Sequence, residues 1–349
     1  MKTEDIKKLL RHRKKDKILK TTDFVSTGSS MLNLACTDDS ETGFAKGHYY
    51  LIVGTSQSGK TFLSLTCLAE AARNVNFQNY QFIYDDVEHG ALMDIEKFFG
   101  KAVKNRLKVV HSYTIEDFYY RLDSLASKKT LFIYILDSMD ALTSRSEIKK
   151  FKQQKKAYQD ERETPGSYGD GKAKINSQNL RCVINPLKET GSILIIINQT
   201  RDKLTGFGGK TRSGGNALQF YACLEIWSDV KKLLSKTYKG KLRAQGVLCT
   251  LRVRKNRFRG KDRTIEVPIY YSYGIDDIGS CVDFLLSEKH WKKRGGNIIA
   301  PEFEFEGNRS KLVQLISTEN MEKDLSMLVK DTWLEIEHAV IIKRKPRYE

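Results

Sequence analysis

The sequence lacks paired cysteines, long apolar runs and any surplus of acid. Six cysteines (Cys36, Cys67, Cys182, Cys223, Cys249 and Cys281) stand singly, without a C-x-x-C pair, and the six histidines are scattered. Such spacing argues against a zinc site or a disulfide framework and leaves reduced thiols, mostly inside apolar segments. No apolar stretch approaches the ~20 residues of a membrane span. Near the N-terminus Ile6, Leu9 and Leu10 sit among lysines, which is not a secretory apolar core. The expectation is a cytoplasmic protein that does not enter a membrane. Internal repeats are absent, and only basic tracts are of low complexity.

Base is plentiful. The net charge is +17, with 60 Lys and Arg against 43 Asp and Glu. That balance favours a polyanionic partner, nucleic acid ahead of a membrane surface. A length of 349 residues predicts two domains, or one large domain with an appendage.

One stretch organises the chain: Gly54-Thr55-Ser56-Gln57-Ser58-Gly59-Lys60-Thr61. It satisfies the G-x-x-x-x-G-K-[ST] pattern at each fixed position. An apolar, β-prone run (48–53) precedes it, and Phe62, Leu65, Ala69 and Ala72 follow at helical spacing. A strand entering a glycine-rich turn and then a helix points backbone N–H groups at an anion. Lys60 then reaches the β- and γ-phosphates, and the Thr61 hydroxyl is placed to ligand Mg²⁺. Nucleotide binding follows; its use does not.

Two further strands end in acid. Gln81 to Tyr84 leads into Asp85-Asp86-Val87-Glu88-His89, and Leu131 to Leu136 leads into Asp137-Ser138. In a parallel sheet the carboxyl ends of the strands face the ligand crevice. Glu88 is thus the candidate to polarise an attacking water, and Asp137 the candidate magnesium-site acid. A fourth buried strand, Ser192 to Ile197, ends in Asn198-Gln199-Thr200-Arg201.

The basic tracts come in four places. Lys7 to Lys15 is either an arm for DNA or a neighbouring subunit, or a solvated terminus. Residues 145–176 hold a lysine-dense segment, readable as an exposed helix, and then a glycine-rich loop. A helix is expected over 176–189, kinked or shortened by Pro186. Residues 203–216 are rich in Gly, Lys and Arg around Phe207, which suits a nucleic-acid backbone with a ring free to stack, or a plain solvated loop. Strands are expected over 224–227, 247–253 and 264–271, the last two joined by the basic connection 254–263. A mixed α/β segment follows, with a helix over 320–336.

Taken in order, these pieces resemble the RecA-type recombinases, strand-exchange ATPases that form filaments on DNA. The resemblance covers roughly residues 22–285 and rests on Ser26-Thr27-Gly28-Ser29 with Leu32 and Leu34, the phosphate loop, Glu88-His89, Asp137-Ser138, and Asn198-Gln199-Thr200-Arg201 followed by Gly214-Gly215-Asn216. It implies a RecA-like P-loop ATPase core with a mostly parallel twisted sheet flanked by helices. That core would span 22–285, with a basic arm at 1–21 and a divergent α/β region at 286–349. It also implies roles. Gln199 would sense the γ-phosphate, and Tyr271 would stack on adenine. Lys255 and Arg257, in Lys255-Asn256-Arg257, would reach a neighbour's ATP. DNA-binding loops would lie near 165–176 and 201–216, the second using Arg201, Lys203, Phe207, Lys210, Arg212, Gly214, Gly215 and Asn216. The implied ligands are ATP, Mg²⁺, single-stranded DNA and duplex DNA, and the implied assembly is a helical filament of identical chains with shared ATP sites. Two other readings stay open: a ring helicase on the same core, and an ATP-switched DNA-binding accessory protein. The sequence departs from the family after His89, in having Arg257 where a second lysine is usual, in the longer, more basic 148–164, and beyond about residue 290. A virus-encoded or divergent recombinase, acting in a bacterial or infected host cell, fits these departures.

Overall fold

The computed structural model describes residues 19–90, 93–160, 171–202, 210–212 and 214–345. Most of the basic arm, positions 165–170 of the first expected DNA loop, Lys203 and Phe207 lie outside the described residues, as do the side chains of Arg201, Lys210 and Arg212.

The chain begins with β1 (Phe24–Val25), α1 (Ser30–Thr37), β2 (Phe44–Ala45), β3 (Tyr49–Gly54) and α2 (Lys60–Arg73). Next come β4 (Gln81–Asp86), α3 (Ile95–Phe99), α4 (Lys101–Arg106), β5 (Leu107–Val110), α5 (Ile115–Ser127), β6 (Phe132–Asp137), α6 (Arg145–Gln159) and α7 (Gly171–Thr190). Then follow β7 (Ile193–Asp202), β8 (Lys210–Arg212), α8 (Asn216–Tyr221), β9 (Leu224–Tyr238), β10 (Lys241–Asn256), β11 (Arg263–Tyr270) and β12 (Gly274–Ile275). The last elements are α9 (Asp277–Ser287), β13 (Lys292–Arg294), β14 (Asn297–Ala300), β15 (Phe305–Gly307), α10 (Arg309–Thr318) and α11 (Glu322–Ala339).

One sheet runs β12-β11-β10-β9-β3-β7-β6-β4-β5, with β8 added to β7. From β9 through β3, β7, β6 and β4 to β5 the neighbours are parallel; β9 to β12 are antiparallel. The parallel strands are apolar almost throughout because both faces are covered. Alternation sorts their side chains: Tyr50, Ile52, Ile133 and Ile135 enter one core, and Tyr49, Leu51, Tyr134 and Leu136 the other. α2 closes the first face with Leu63, Leu65 and Leu68. α5 and α7 close the second with Phe118, Leu122, Leu180 and Leu187. Each such fully buried aliphatic contributes about 1.5–3 kcal/mol.

Four local expectations are revised. β4 continues through Asp86, so Asp85 and Asp86 belong to the strand and are buried. α7 runs through Pro186 to Thr190, because Val183 and Leu187 are buried on either side of the one missing bond. β9 and β10 are far longer than 224–227 and 247–253, forming a hairpin whose lysine-rich outer half is solvated and carries no apolar alternation. The 203–216 stretch is not all loop: Lys210–Arg212 pairs with Thr200–Asp202, and α8 starts at Asn216.

The chain beyond α9 folds back on the core. α11 lies against α1 and α9. The Arg263 side chain, 7% exposed, meets Asp38 Oδ1 at 2.6 Å and Glu337 Oε1 at 2.8 Å, close ion pairs whose angles fall short of hydrogen bonds. Its guanidinium lies 5.1 Å from the Trp333 ring centre, and Trp333 Nε1 donates to Asp38 Oδ1 at 3.1 Å. All six cysteines are free and five are buried; Cys182 is exposed.

Candidate functional site

Every parallel strand points its carboxyl end to the same rim, so residues far apart in sequence meet there. β3 delivers Gly54, the loop turns, and Gly59 caps α2 at φ +78°. The positive φ favours glycine there, and a Cβ would also have to displace the end of the Ile269 side chain, 2.3 Å away. The loop's floor is pinned: Ser58 Oγ donates to Thr55 O at 2.8 Å, and Ser228 Oγ of β9 donates to Ser58 O at 2.6 Å. The first N–H groups of α2 have no acceptor within their own helix, which is what an anion requires.

Lys60 is buried, and its Nζ donates to Thr55 O at 2.5 Å. Burial pulls its pKa down, while Asp137, Glu88, Asp140 and Asp229 push it up. Thr61 Oγ1 and Tyr84 OH both donate to Asp137 Oδ2, at 2.5 and 3.0 Å. Burial raises the Asp137 carboxyl against the pull of those two bonds. Thr61 and Asp137 are therefore adjacent hard oxygen donors, the chemistry Mg²⁺ takes. Among the described residues no group of three or more acidic, His or Cys side chains could hold a metal, so most ligands of an ion here would come from phosphate and water.

Beside this pair lies a second junction. Glu88 Oε1 accepts from Ser138 Oγ at 2.5 Å and from Gln199 Nε2 at 2.9 Å. Gln199 N donates to Asp140 Oδ2 at 2.6 Å. Adjacent strands β4, β6 and β7 thus bring together Glu88, the 137–140 turn and Gln199. Gln199 is also the residue from which β7 leaves the sheet towards its pairing with β8. Tyr271 follows β11, whose Ile269 touches the phosphate loop; its ring is 56% exposed on that rim.

Lys255 and Arg257 lie elsewhere. Lys255 pairs with Glu225, which pairs with Leu51, three positions before Gly54. That is about 10 Å back along the strand. Lys255 Nζ donates to Gln219 O at 2.6 Å and Phe220 O at 2.8 Å, and Arg257 donates to Phe220 O at 2.6 Å. The structure does not bring either cation to the phosphate loop of its own chain; both hold the carbonyl end of α8. At the other end of α8, Gly214 and Gly215 have φ of +77° and +83°, and a Cβ on Gly215 would lie 2.7 Å from Ala173 Cβ. Asn176 of α7 donates to Gly214 O at 3.2 Å, so the exit of the 201–216 segment rests on α7.

Sequence reasoning assigned no role to Tyr84, Ser138 and Asp140. Tyr84 reads as core, and only its position one strand away from Asp137 makes it a donor. Asp85, grouped with the crevice acids, is instead fully buried and accepts from Ser112 N and Oγ and from Tyr134 OH, at 2.8, 2.6 and 2.5 Å. Asp94 caps α3 by accepting from Lys97 N at 3.1 Å.

Comparison with known proteins agrees with this geometry. The model of the RecA N-terminal domain matches residues 6–276. The RecA protein of Leifsonia xyli is 29% identical over 325 residues, covering 91% of this chain and 80% of that protein. That of Acidothermus cellulolyticus is 30% identical over 275 residues, 78% of this chain and 73% of that one. A mitochondrial DNA repair protein of Arabidopsis thaliana, recA homolog 3, is 29% identical over 279 residues, 77% and 58% of the two chains. With the phosphate loop, the acid-bearing strand ends and this match in place, the chain belongs to the RecA-type recombinase family.

Proposed function

We propose that this chain is a DNA-dependent ATPase that assembles as a helical filament on single-stranded DNA and promotes homologous pairing and strand exchange. The observation that carries it is Gln199: its side chain is bonded to Glu88 and its backbone to Asp140, at the root of the β7–β8 ribbon that leads into the candidate DNA segment. A residue so placed couples the hydrolytic carboxylate to whatever the ribbon holds.

The residues divide the reaction as follows. Lys60 leaves Thr55 O for the β- and γ-phosphates of ATP, and Thr61 and Asp137 are the residues that would hold Mg²⁺. That ion would neutralise charge on the phosphate oxygens. Glu88 accepts a hydrogen bond from the attacking water and orients it in line with the γ-phosphorus. Gln199 exchanges Glu88 for the γ-phosphate and so moves the ribbon. Tyr271 stacks on adenine. Lys255 and Arg257, too far along the sheet for their own loop, act on the ATP of the next chain; groups of that kind are worth about 10³–10⁵ in rate. Arg201, Lys203, Lys210 and Arg212 meet DNA phosphates, Phe207 stacks on bases, and Gly214, Gly215 and Asn216 complete the DNA-binding segment. Duplex DNA is the second substrate, brought to the same filament.

The test is ATP hydrolysis by the purified chain with and without single-stranded DNA, with particles from the same samples imaged. Strong stimulation with helical filaments and joint-molecule formation is expected. Closed rings would replace the reading with a helicase, and absence of both stimulation and assembly would leave a nucleotide-switched binding protein.

A further inference from the structure

Among the described residues, α6 stands apart from the other helices of its length. It spans Arg145–Gln159 and buries none of its residues. It carries six cations and one carboxylate, and that carboxylate, Glu147, is used at the base, where it accepts from Thr143 Oγ1 at 3.0 Å and Ser144 N at 2.7 Å. The base is firmly set. Ser144 and Glu147 form a capping box, Arg145 donates to Asp117 Oδ1 at 2.9 Å, and Thr143 bridges Thr114. Beyond Lys150 the shaft holds Lys152, Lys155 and Lys156 and no acid.

A helix that is polar all round is ordinarily supported by opposite charges three or four residues apart. This one has the reverse. Lys149, Lys152 and Lys156 follow at spacings of three and four, so they share a face and repel, with Lys155 beside them. Among the described residues none of these four has an ion-pair partner. Phe151 and Tyr158, seven apart and flanking Lys155 on the side of the helix turned away from that line, are 67% and 86% exposed. A line of cations on an exposed helix is a surface that tracks the phosphate backbone of a single strand of nucleic acid. From Lys149 to Lys156 the line is about 10 Å long.

Its place in the fold points the same way. Asp140, just before the helix, accepts Gln199 N at 2.6 Å at the root of the ribbon, and Lys172 at the start of α7 donates to Asp140 O at 3.4 Å. The base of α6, the start of α7 and the root of β7–β8 therefore converge on one turn. We propose that α6 is a further contact for single-stranded DNA, in which the phosphodiester backbone lies along Lys149, Lys152 and Lys156 and relieves their mutual repulsion. This rests on the DNA-binding function proposed above and extends its contact surface.

The experiment measures the affinity of the full chain for a thymidine oligonucleotide across a salt series, with amide hydrogen exchange of 148–159 read with and without it. The variant replaces Lys149, Lys152 and Lys156 together by Gln, and its thermal unfolding midpoint checks the fold; a Lys→Arg triple keeps the charge. At about 0.7 per phosphate on a single strand, the Gln triple should make the log–log slope shallower by about 2, and the Arg triple should keep it. Exchange over the shaft should slow when the oligonucleotide is added to the unaltered chain. An unaltered chain that binds with a steep slope, a Gln triple of the same slope and a shaft whose exchange ignores DNA would overturn the role of α6 while leaving the function standing. If the unaltered chain binds no oligonucleotide, both fall together.

Discussion

Lys60 stands at the rim where the parallel strands end and Lys255 about 10 Å back from that rim along the sheet, and each rests on backbone carbonyls. Lys60 holds Thr55 O at 2.5 Å; Lys255 holds Gln219 O and Phe220 O at 2.6 and 2.8 Å. Their settings differ. Lys60 is buried among Asp137, Glu88 and Asp140, and the carbonyl it holds belongs to the loop it serves. A short swing takes it to a phosphate. Lys255 sits on β10 opposite Glu225, behind the phosphate loop, and the carbonyls it holds end α8. No swing takes it to its own nucleotide. One lysine belongs to a site built within the chain; the other, in the function proposed above, would belong to a site that needs a second chain, and α8 connects it with the candidate DNA segment.

The largest expected effect comes from breaking that division. Lys255→Ala with Arg257→Ala should lower DNA-stimulated ATP turnover by about 10³–10⁵ while ATP affinity of the dispersed chain stays unchanged. If hydrolysis without DNA falls by the same factor, the two cations serve their own chain and the comparison is wrong. Next, Glu88→Gln should lower turnover by about 10²–10⁴ with ATP and oligonucleotide affinity kept, as equilibrium binding can show. Normal hydrolysis by this variant would remove Glu88 from the water-orienting role.

The ends of β11 sharpen the contrast further, because the Lys255 side is braced by the C-terminal helices. Arg263→Met removes the buried cation between Asp38 and Glu337 and leaves them only the half-exposed Arg259 and Lys261; it should cost up to about 3 kcal/mol in urea unfolding. A loss under about 1 kcal/mol would mean that the buried guanidinium adds little to the ties Arg259, Lys261 and Trp333 already make across this contact. The smallest effect concerns Asp277 of α9, which accepts from Ser30 N at 2.6 Å and Ser30 Oγ at 2.7 Å. Burial pushes its carboxyl up to about 6. Since the folded value exceeds the unfolded one, its contribution to stability is fully present below about pH 4 and is lost as pH rises through about 6. The stability of the unaltered chain minus that of Asp277→Asn should therefore fall by up to about 3 kcal/mol between pH 4 and 7. A difference independent of pH would show an ordinary carboxyl there.

Much of this was readable because it is local. The phosphate loop is one contiguous strand, turn and helix. The buried run ending in Asp137 announces a strand covered on both faces, and its last residue must then lie at the rim. Glu88 follows by the same reasoning on β4. The hairpin of β9 and β10 was not readable beyond its buried half, since solvated strands rich in lysine show no apolar period. α7 was expected to yield at Pro186, but burial of Val183 and Leu187 overrides a single lost bond.

What the sequence by itself determined is the nucleotide cradle and the two-faced core, where neighbours in the chain are neighbours in space and side-chain period sets the face. Tertiary structure alone decided which acids serve and which only brace. It put Asp85 into a buried bond network with Ser112 and Tyr134, gave Asp140 the Gln199 N–H, and turned Tyr84 towards Asp137. It also set Lys255 and Arg257 away from their own phosphate loop. Strand order is the physical reason: β4, β6 and β7 become adjacent through crossovers that no local pattern of residues encodes, and β10 turns back antiparallel beyond β9.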